Sequence, residues 1–426
     1  MTARIPSLPR LHRLSNGVTL LCDPAPGFET LALSVVAGRG ARWEGEDRSG
    51  WSHLLEHMVF KGAGDRSARQ IVEAIEADGG QLNAATGHER TSFQVRALGG
   101  GLPLALAVVA DLVQHPTLDV EDLAREKQVV AQEIAEAADT PDDQVFELAQ
   151  AAAFAGQPLG RPILGSALSL APADPAALEA WRATLYAPDR LVVSVAGAVD
   201  EDEFLRLAET AFVAAAAGAH PAPEAARFTG GHAQERRKLE QAHLVFLLPA
   251  PGVSDPTYWP LRLFAEALGG GMSSRLFQEA RERLGLAYAI DAYGEAYADV
   301  GLLGIYAGCA PGDAGRLAEV VAGQIKALLA DVGEGELARA KAQLKAATFM
   351  AAESTMARAE QAAGQILIFE RLFSIAETAQ AIDAVTAADL ARVGTRILAS
   401  GVSACAVLGP KTAMPAAEAF QRSLFG

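Results

Sequence analysis

The chain has 426 residues, half of them hydrophobic, and its 52 acidic against 36 basic side chains leave a formal charge of −16. That length exceeds what one hydrophobic core usually organises, so two domains are expected. The acidity counts against binding a phosphate backbone or docking on anionic lipid, and no apolar run is long enough to span a bilayer, so neither nucleic acid nor membrane insertion is expected.

The opening stretch, MTARIPSLPRLHRLSNG, has no apolar h-region. A cytoplasmic location is therefore expected, or a periplasmic one if a leader has been removed. Cys22, Cys309 and Cys405 are too widely spaced for a disulfide framework or a cysteine zinc module and are expected to be small buried hydrophobes. A strand pair comes first: LSNGVTLLCDP alternates apolar residues after an Asn-Gly turn signal, and TLALSVVAG continues the pattern. A helix containing HLLEHMVFKG follows. SARQIVEAIEADGG is a second helix with a serine cap and a Gly-Gly stop. QLNAATGHERTSFQVRAL reads as a hairpin turning at Thr86-Gly87. Helices are expected near 102–115, 121–138, 143–154 and 175–186, and then LVVSVAGAVD as a short buried strand.

Composition shifts in the stretch VAAAAGAHPAPEAARFTGGHAQE, which reads as a linker. The order of elements then recurs. AHLVFLLPAPG is a strand, TYWPLRLFAEALGGG and SSRLFQEARERLG are helices, and AYAIDAYGEAY and VGLLGIYAGCA are strands. Helices near 312–331 and 334–350 and the strand VSACAVLG complete the second half. This is the pattern of a duplication. It divides the chain into an N-terminal domain over 1–215, a linker over 216–235 and a homologous C-terminal domain over 236–426. Each half mixes antiparallel strand signals with helices, giving an α+β layer architecture.

On a helix, Trp51, Leu54, Leu55, Met58 and Val59 form one apolar stripe. His53, Glu56, His57 and Phe60 form a second stripe on the opposite side. Two imidazoles one turn apart can meet one ion, and a carboxylate between them can face its water. Chance supplies roughly 0.01 such triplets in a chain with eight histidines. A hydrolytic zinc site needs a third protein ligand and an open position. Glu73, Glu76, Glu89, Glu126, Glu133 and Glu136 are the acids within reach. Glu73 and Glu76 lie on a helix whose periodic face is filled by Ile71, Val72 and Ile75. Glu126 and Glu133 stand seven apart in line with Val129 and Val130, where a carboxylate must be paired or bind an ion. For Glu133, residue chemistry leaves a solvated helix glutamate equally open.

These residues resemble a known family. His53-Leu54-Leu55-Glu56-His57 has the H-x-x-E-H order of the inverted zinc proteases. The chain is similar to the M16 peptidases, which include insulin-degrading enzyme, pitrilysin and the mitochondrial processing peptidase, and most to short bacterial M16B members. GGQLNAATGHERTSFQV, AREKQVVAQEI, PLGRPILG, LYAPDRLVVSVAG, LGGGMSSRLFQEARERLGLAYAI and GLLGIYAG match the family pattern in the family order. The resemblance implies Glu133 as the third zinc ligand and Glu126 as a glutamate supporting the site from behind. It implies Asn83 and Ala84 on an edge strand that holds the substrate as an added strand. It also implies Arg281 and Tyr288 as a pair, carried by the second half, that contacts the peptide and its developing oxyanion. Gln157 departs from a histidine common before Pro-Leu-Gly. The long glycine-rich loop of the processing peptidase α-subunit is absent, which counts against presequence processing.

The activity so implied is a zinc metalloendopeptidase acting on small or unfolded peptides. His53, His57 and Glu133 would hold one Zn2+ per chain, Glu56 would act as general base, and Tyr288 would help to stabilise the oxyanion. Because the chain supplies two of the four domains that enclose such a chamber, a homodimer is expected, with a heterodimer containing a related subunit as the alternative. A non-catalytic scaffold of the same fold would be expected to have a damaged motif, and here the motif is intact.

Overall fold

The computed structural model describes residues 8–213 and 222–426, so residues 216–221 of the expected linker lie outside the described residues. The fold is of the expected mixed α and β class and is organised around two sheets, one of six strands and one of five. Compact unit one comprises Met1–Ile134, Pro162–Glu224 and Phe349–Ile375; unit two comprises Ala135–Arg161, Ala225–Thr348 and Ala376–Gly426. A single cut in the linker therefore does not separate them. Residues 231–236, expected as linker, form a strand.

In the first unit the strands are β1 (Arg10–Arg13), β2 (Thr19–Pro24), β3 (Thr30–Ala37), a two-residue ribbon β4 (Gly62–Ala63) and β5 (Arg66–Ser67), β6 (Gln81–Thr86), β7 (Thr91–Leu98) and β8 (Leu191–Gly197). The large sheet runs β1-β2-β8-β3-β7-β6. The expected pairing of β2 with β3 is broken by β8, which lies parallel to β2 and antiparallel to β3. Sequence neighbours carry no signal for a strand that arrives from position 191. The helices lying wholly or mostly in this unit are α1 (Trp51–Val59), α2 (Ala68–Ala77), α3 (Leu102–Gln114), α4 (Val120–Asp139), α6 (Ala167–Leu170), α7 (Pro175–Leu185), α8 (Glu201–Ala211) and α12 (Thr355–Phe369); α5 (Pro141–Ala153) belongs to the second unit.

Strand alternation sorts this sheet into two faces. Leu20, Cys22, Leu31, Leu33, Val35, Phe93, Val95, Val193 and Val195 point into a core with α1, α3, α7 and α8. Leu21, Val36 and Val192 point the other way and meet Ala362, Ala363 and Ile366 of α12. α12 thus covers this second face. Asp23 on that face, 3% exposed, pairs with Arg358 through two hydrogen bonds of 2.8 and 2.6 Å. An apolar cover over a strand carboxylate requires such a partner.

The second unit has β9 (Gly231–Arg236), β10 (Ala242–Ala250), β11 (Ala287–Ala296), β12 (Gly301–Cys309) and β13 (Ala404–Gly409), in the order β11-β12-β10-β13-β9. One face packs on α9 (Tyr258–Gly269), α10 (Ala314–Ala330), α11 (Glu334–Ala351), α13 (Ile375–Ala384), α14 (Ala387–Ala399) and α15 (Ala416–Phe425). The other packs on α5 through Val145, Ala149 and Ala153. The three cysteines are free and buried, and burial raises each thiol to about 12.

Candidate metal centre

The polar face of α1 is aimed by the way the helix is anchored. Gly50 precedes it at φ 91, and a Cβ there would stand 2.5 Å from the Leu164 carbonyl oxygen. No side chain next to the helix caps it. Instead the buried Glu44 carboxylate accepts from the N–H groups of Gly50 at 2.7 Å and Ser52 at 2.6 Å, which satisfies donors a helix start leaves open. The Trp51 indole donates to the Ser169 carbonyl at 2.9 Å, and the Trp181 indole donates to the Ser52 hydroxyl at 3.2 Å. Leu54, Leu55, Met58 and Val59 are completely buried, as the apolar stripe predicts. With that stripe locked, His53, Glu56 and His57 are turned to the other side.

Glu133, on α4, meets the two histidines. Its Oε2 lies 3.9 Å from His53 Nε2 and 3.6 Å from His57 Nε2. One ligand atom from each of the three residues fits within a 4.8 Å span, and among the described residues this is the one such group of histidine, cysteine and acidic side chains. The separations are too long for hydrogen bonds. They are slightly wider than the ~3.3 Å between ligand atoms of a tetrahedral ion with bonds of about 2.0–2.1 Å. Glu133 Oε2 is a buried carboxylate oxygen with no hydrogen-bond partner. An acceptor left so between two imidazole nitrogens is what a cation would satisfy, and a donor set of two imidazoles and one carboxylate suits zinc. The residues present therefore fit the ion. Burial, helped by the neighbouring His57, lowers the His53 pKa to about 4, so its ring is neutral at pH 7 with a lone pair free.

Other groups surround these three. Glu126, 5% exposed, lies 3.1 Å from His57 Nδ1 through Oε2 and 2.8 Å from Lys61 Nζ through Oε1. It touches the histidine's far nitrogen and is not among the three converging residues. With a proton on Nδ1 donated in a hydrogen bond to Glu126, the His57 Nε2 lone pair would face Glu133. Glu56 is partly buried; burial raises its pKa, opposed by a hydrogen bond from the Thr86 hydroxyl and by the charge of His57. Glu73 and Glu89 have other partners, Arg69 and Arg42.

Asn83 and Ala84 lie on β6, which among the described residues is paired only on its β7 side and forms the sheet edge. Asn83 is exposed and Ala84 half-buried. Arg281 and Tyr288 belong to the second unit. Arg281 sits in the π-helical segment Phe277–Arg283 with its guanidinium 4.8 Å from the centre of the Phe277 ring. Tyr288 falls at the irregularity where β11 slips against β12 between Ala287 and Ala289, and it is 60% exposed. Its neighbours in the strand pattern would suggest a core tyrosine, and the bulge frees it from the face it would otherwise join. Gln157, in the second unit, clamps the backbone of Arg227, donating to its carbonyl and accepting from its N–H, both at 2.7 Å. Lys61, Thr86 and Glu44 were missed in the sequence because each acts on a residue that only the fold brings close.

Residues 23–167 match the family model for insulinase, peptidase family M16, and residues 172–344 match the model for the peptidase M16 inactive domain. An uncharacterized zinc protease of Rickettsia bellii is 36% identical over 401 residues, covering 94% of this chain and 97% of its own. One from Bacillus subtilis is 34% identical over 408 residues, covering 95% and 99%. Among solved structures, a protease from Helicobacter pylori superposes with a TM-score of 0.88 at 20% identity, covering 95% of this chain and all of that one. A chain of complex III2 from Candida albicans gives 0.85 at 20% identity, covering 97% and 99%. Those two likenesses are of fold. The family matches and the full-length relatives place this chain in peptidase family M16.

Proposed function

We propose that this chain is a zinc-dependent metalloendopeptidase that hydrolyses small or unfolded peptides. The observation that carries the reading is the convergence of His53, His57 and the unpartnered Glu133 oxygen, with Glu56 on the same helix face. His53 Nε2, His57 Nε2 and Glu133 Oε2 would hold the ion. Zinc, when bound, supplies Lewis acidity that polarises a carbonyl and eases deprotonation of water. Glu56 takes the proton of the attacking water on a carboxylate oxygen and later delivers it to the leaving amine. Burial, which raises its pKa, favours a carboxyl that can carry that proton between the two steps. Glu126 holds the His57 ring through Nδ1. The open edge of β6, at Asn83 and Ala84, takes the peptide as an added strand. Arg281 and the exposed Tyr288 are assigned to the peptide and its developing oxyanion. The proposed assembly is a homodimer, which a measured particle mass of two chains would support.

The test is Glu56→Gln. It should keep about one zinc per chain by metal analysis and lose cleavage of an unstructured reporter peptide by a factor on the order of 100 to 10,000. Wild-type cleavage by that variant would remove Glu56 from the mechanism.

A further inference from the structure

We propose that Thr86 is a positioning residue that fixes the orientation of Glu56 and ties it to the edge strand; this rests on reading Glu56 as the general base. The Thr86 hydroxyl donates to Glu56 Oε2. Among the described residues it is the one hydrogen bond that the Glu56 carboxylate accepts. A glutamate side chain has three rotatable bonds, so one well-placed donor selects one orientation. Holding Oε2 leaves Oε1 free for the proton.

Three features make Thr86 a firm donor. It is the last residue of β6, and strand alternation puts it on the same face as Leu82 and Ala84, which pack on the core beside α1. Threonine is branched at Cβ, so its χ1 is stiff. The turn that follows is pinned. Gly87 N donates to the Arg90 carbonyl at 2.8 Å, Ala41 N donates to the Gly87 carbonyl at 3.0 Å, and Arg42 N donates to the His88 carbonyl at 2.8 Å. The approach is so close that a Cβ on Gly40 would stand 2.2 Å from the Gly87 oxygen. Position 86 is thus held from one side by β7 and from the other by the segment after β3. The strand offered to the peptide and the orientation of the base share one backbone.

Two variants separate this role from simple packing. Thr86→Val keeps the branched shape and removes the donor; Thr86→Ser keeps the donor. Thr86→Val should retain wild-type zinc content and a KM within about threefold while kcat falls on the order of tenfold to hundredfold, and Thr86→Ser should recover most of that loss. Wild-type kcat in the valine variant, equal losses in both variants, or zinc loss in the valine variant would each overturn the proposal. A second readout needs no turnover. In metal-free protein labelled with carboxyl-13C glutamate, the resonance abolished by Glu56→Gln should move in Thr86→Val and stay in place in Thr86→Ser. An unmoved resonance in Thr86→Val overturns the contact itself. If Glu56→Gln cleaves normally, the base assignment fails instead, and this resonance still decides whether Thr86 holds Glu56.

Discussion

In the first unit β2, β8, β3, β7 and β6 lie side by side in that order; in the second β9, β13, β10, β12 and β11 do the same. The pairings agree as well. β2 with β8 and β9 with β13 are the parallel contacts, and the other neighbours are antiparallel. A helix follows the long second strand in each: α1 after β3, α9 after β10. Both bury a continuous apolar face, with Leu54 and Leu261 each completely enclosed. The polar sides differ. α1 presents His53, Glu56 and His57, whereas the half-buried polar positions of α9 are Tyr258, Arg262 and Glu266. α4 buries Glu126 and sets Glu133 beside the histidines; α11 buries Ala340 and Leu344. One sheet plan can therefore carry a candidate metal centre or lack one, and a few polar residues on two helices make the difference.

The largest structural effect should come from the pair that fastens α12 to its sheet. Asp23→Ala leaves Arg358 without its carboxylate at a buried place and should cost about 3–5 kcal/mol, read as a lowered denaturation midpoint. A loss within experimental error would mean that α12 is held by its alanine and isoleucine contacts alone.

Leu54→Ala and Leu261→Ala test whether the two helices are equivalent as structure. Each deletes a completely buried side chain and should cost about 2–5 kcal/mol, with zinc content affected only by the first. Equal stability losses with unequal metal loss would sharpen the comparison; a negligible loss at Leu261 would break it.

The smallest effect is expected at Lys61. Its ammonium is the second partner of the Glu126 carboxylate. Lys61→Met should weaken zinc binding about tenfold, in the range for partners that orient a metal ligand, and Lys61→Arg should restore most of it. Competition with a chelator of known affinity measures both.

The helix α1 was legible because its signal is local. The burial of Trp51, Leu54, Leu55, Met58 and Val59 follows from the 3.6-residue period, and the same period places two histidines and a glutamate on the other side. The two-fold repetition was legible as element order, since each strand and helix writes its own periodicity. The sheet order was not, because strand pairing joins residues far apart in the chain. The second cover on each sheet was not legible either. α12 lies in a stretch from which no element was read, and its contacts with β3 and β8 belong to the other half of the sequence. For Glu133, helix position alone could not separate a ligand from a solvated acid; the structure adds that its Oε2 lies 3.6 Å from His57 Nε2 and has no hydrogen-bond partner.

By itself the sequence determined many of the elements, the two faces of α1, and the donor types that gather there, because those depend on residue chemistry and local period. The tertiary structure decided which distant acids meet the histidines, that Lys61 and Thr86 contact Glu126 and Glu56, and that α12 and α5 cover the second faces of the two sheets. Those are contacts between surfaces that neither strand nor helix periodicity encodes, fixed only when burial of all of them is satisfied at once.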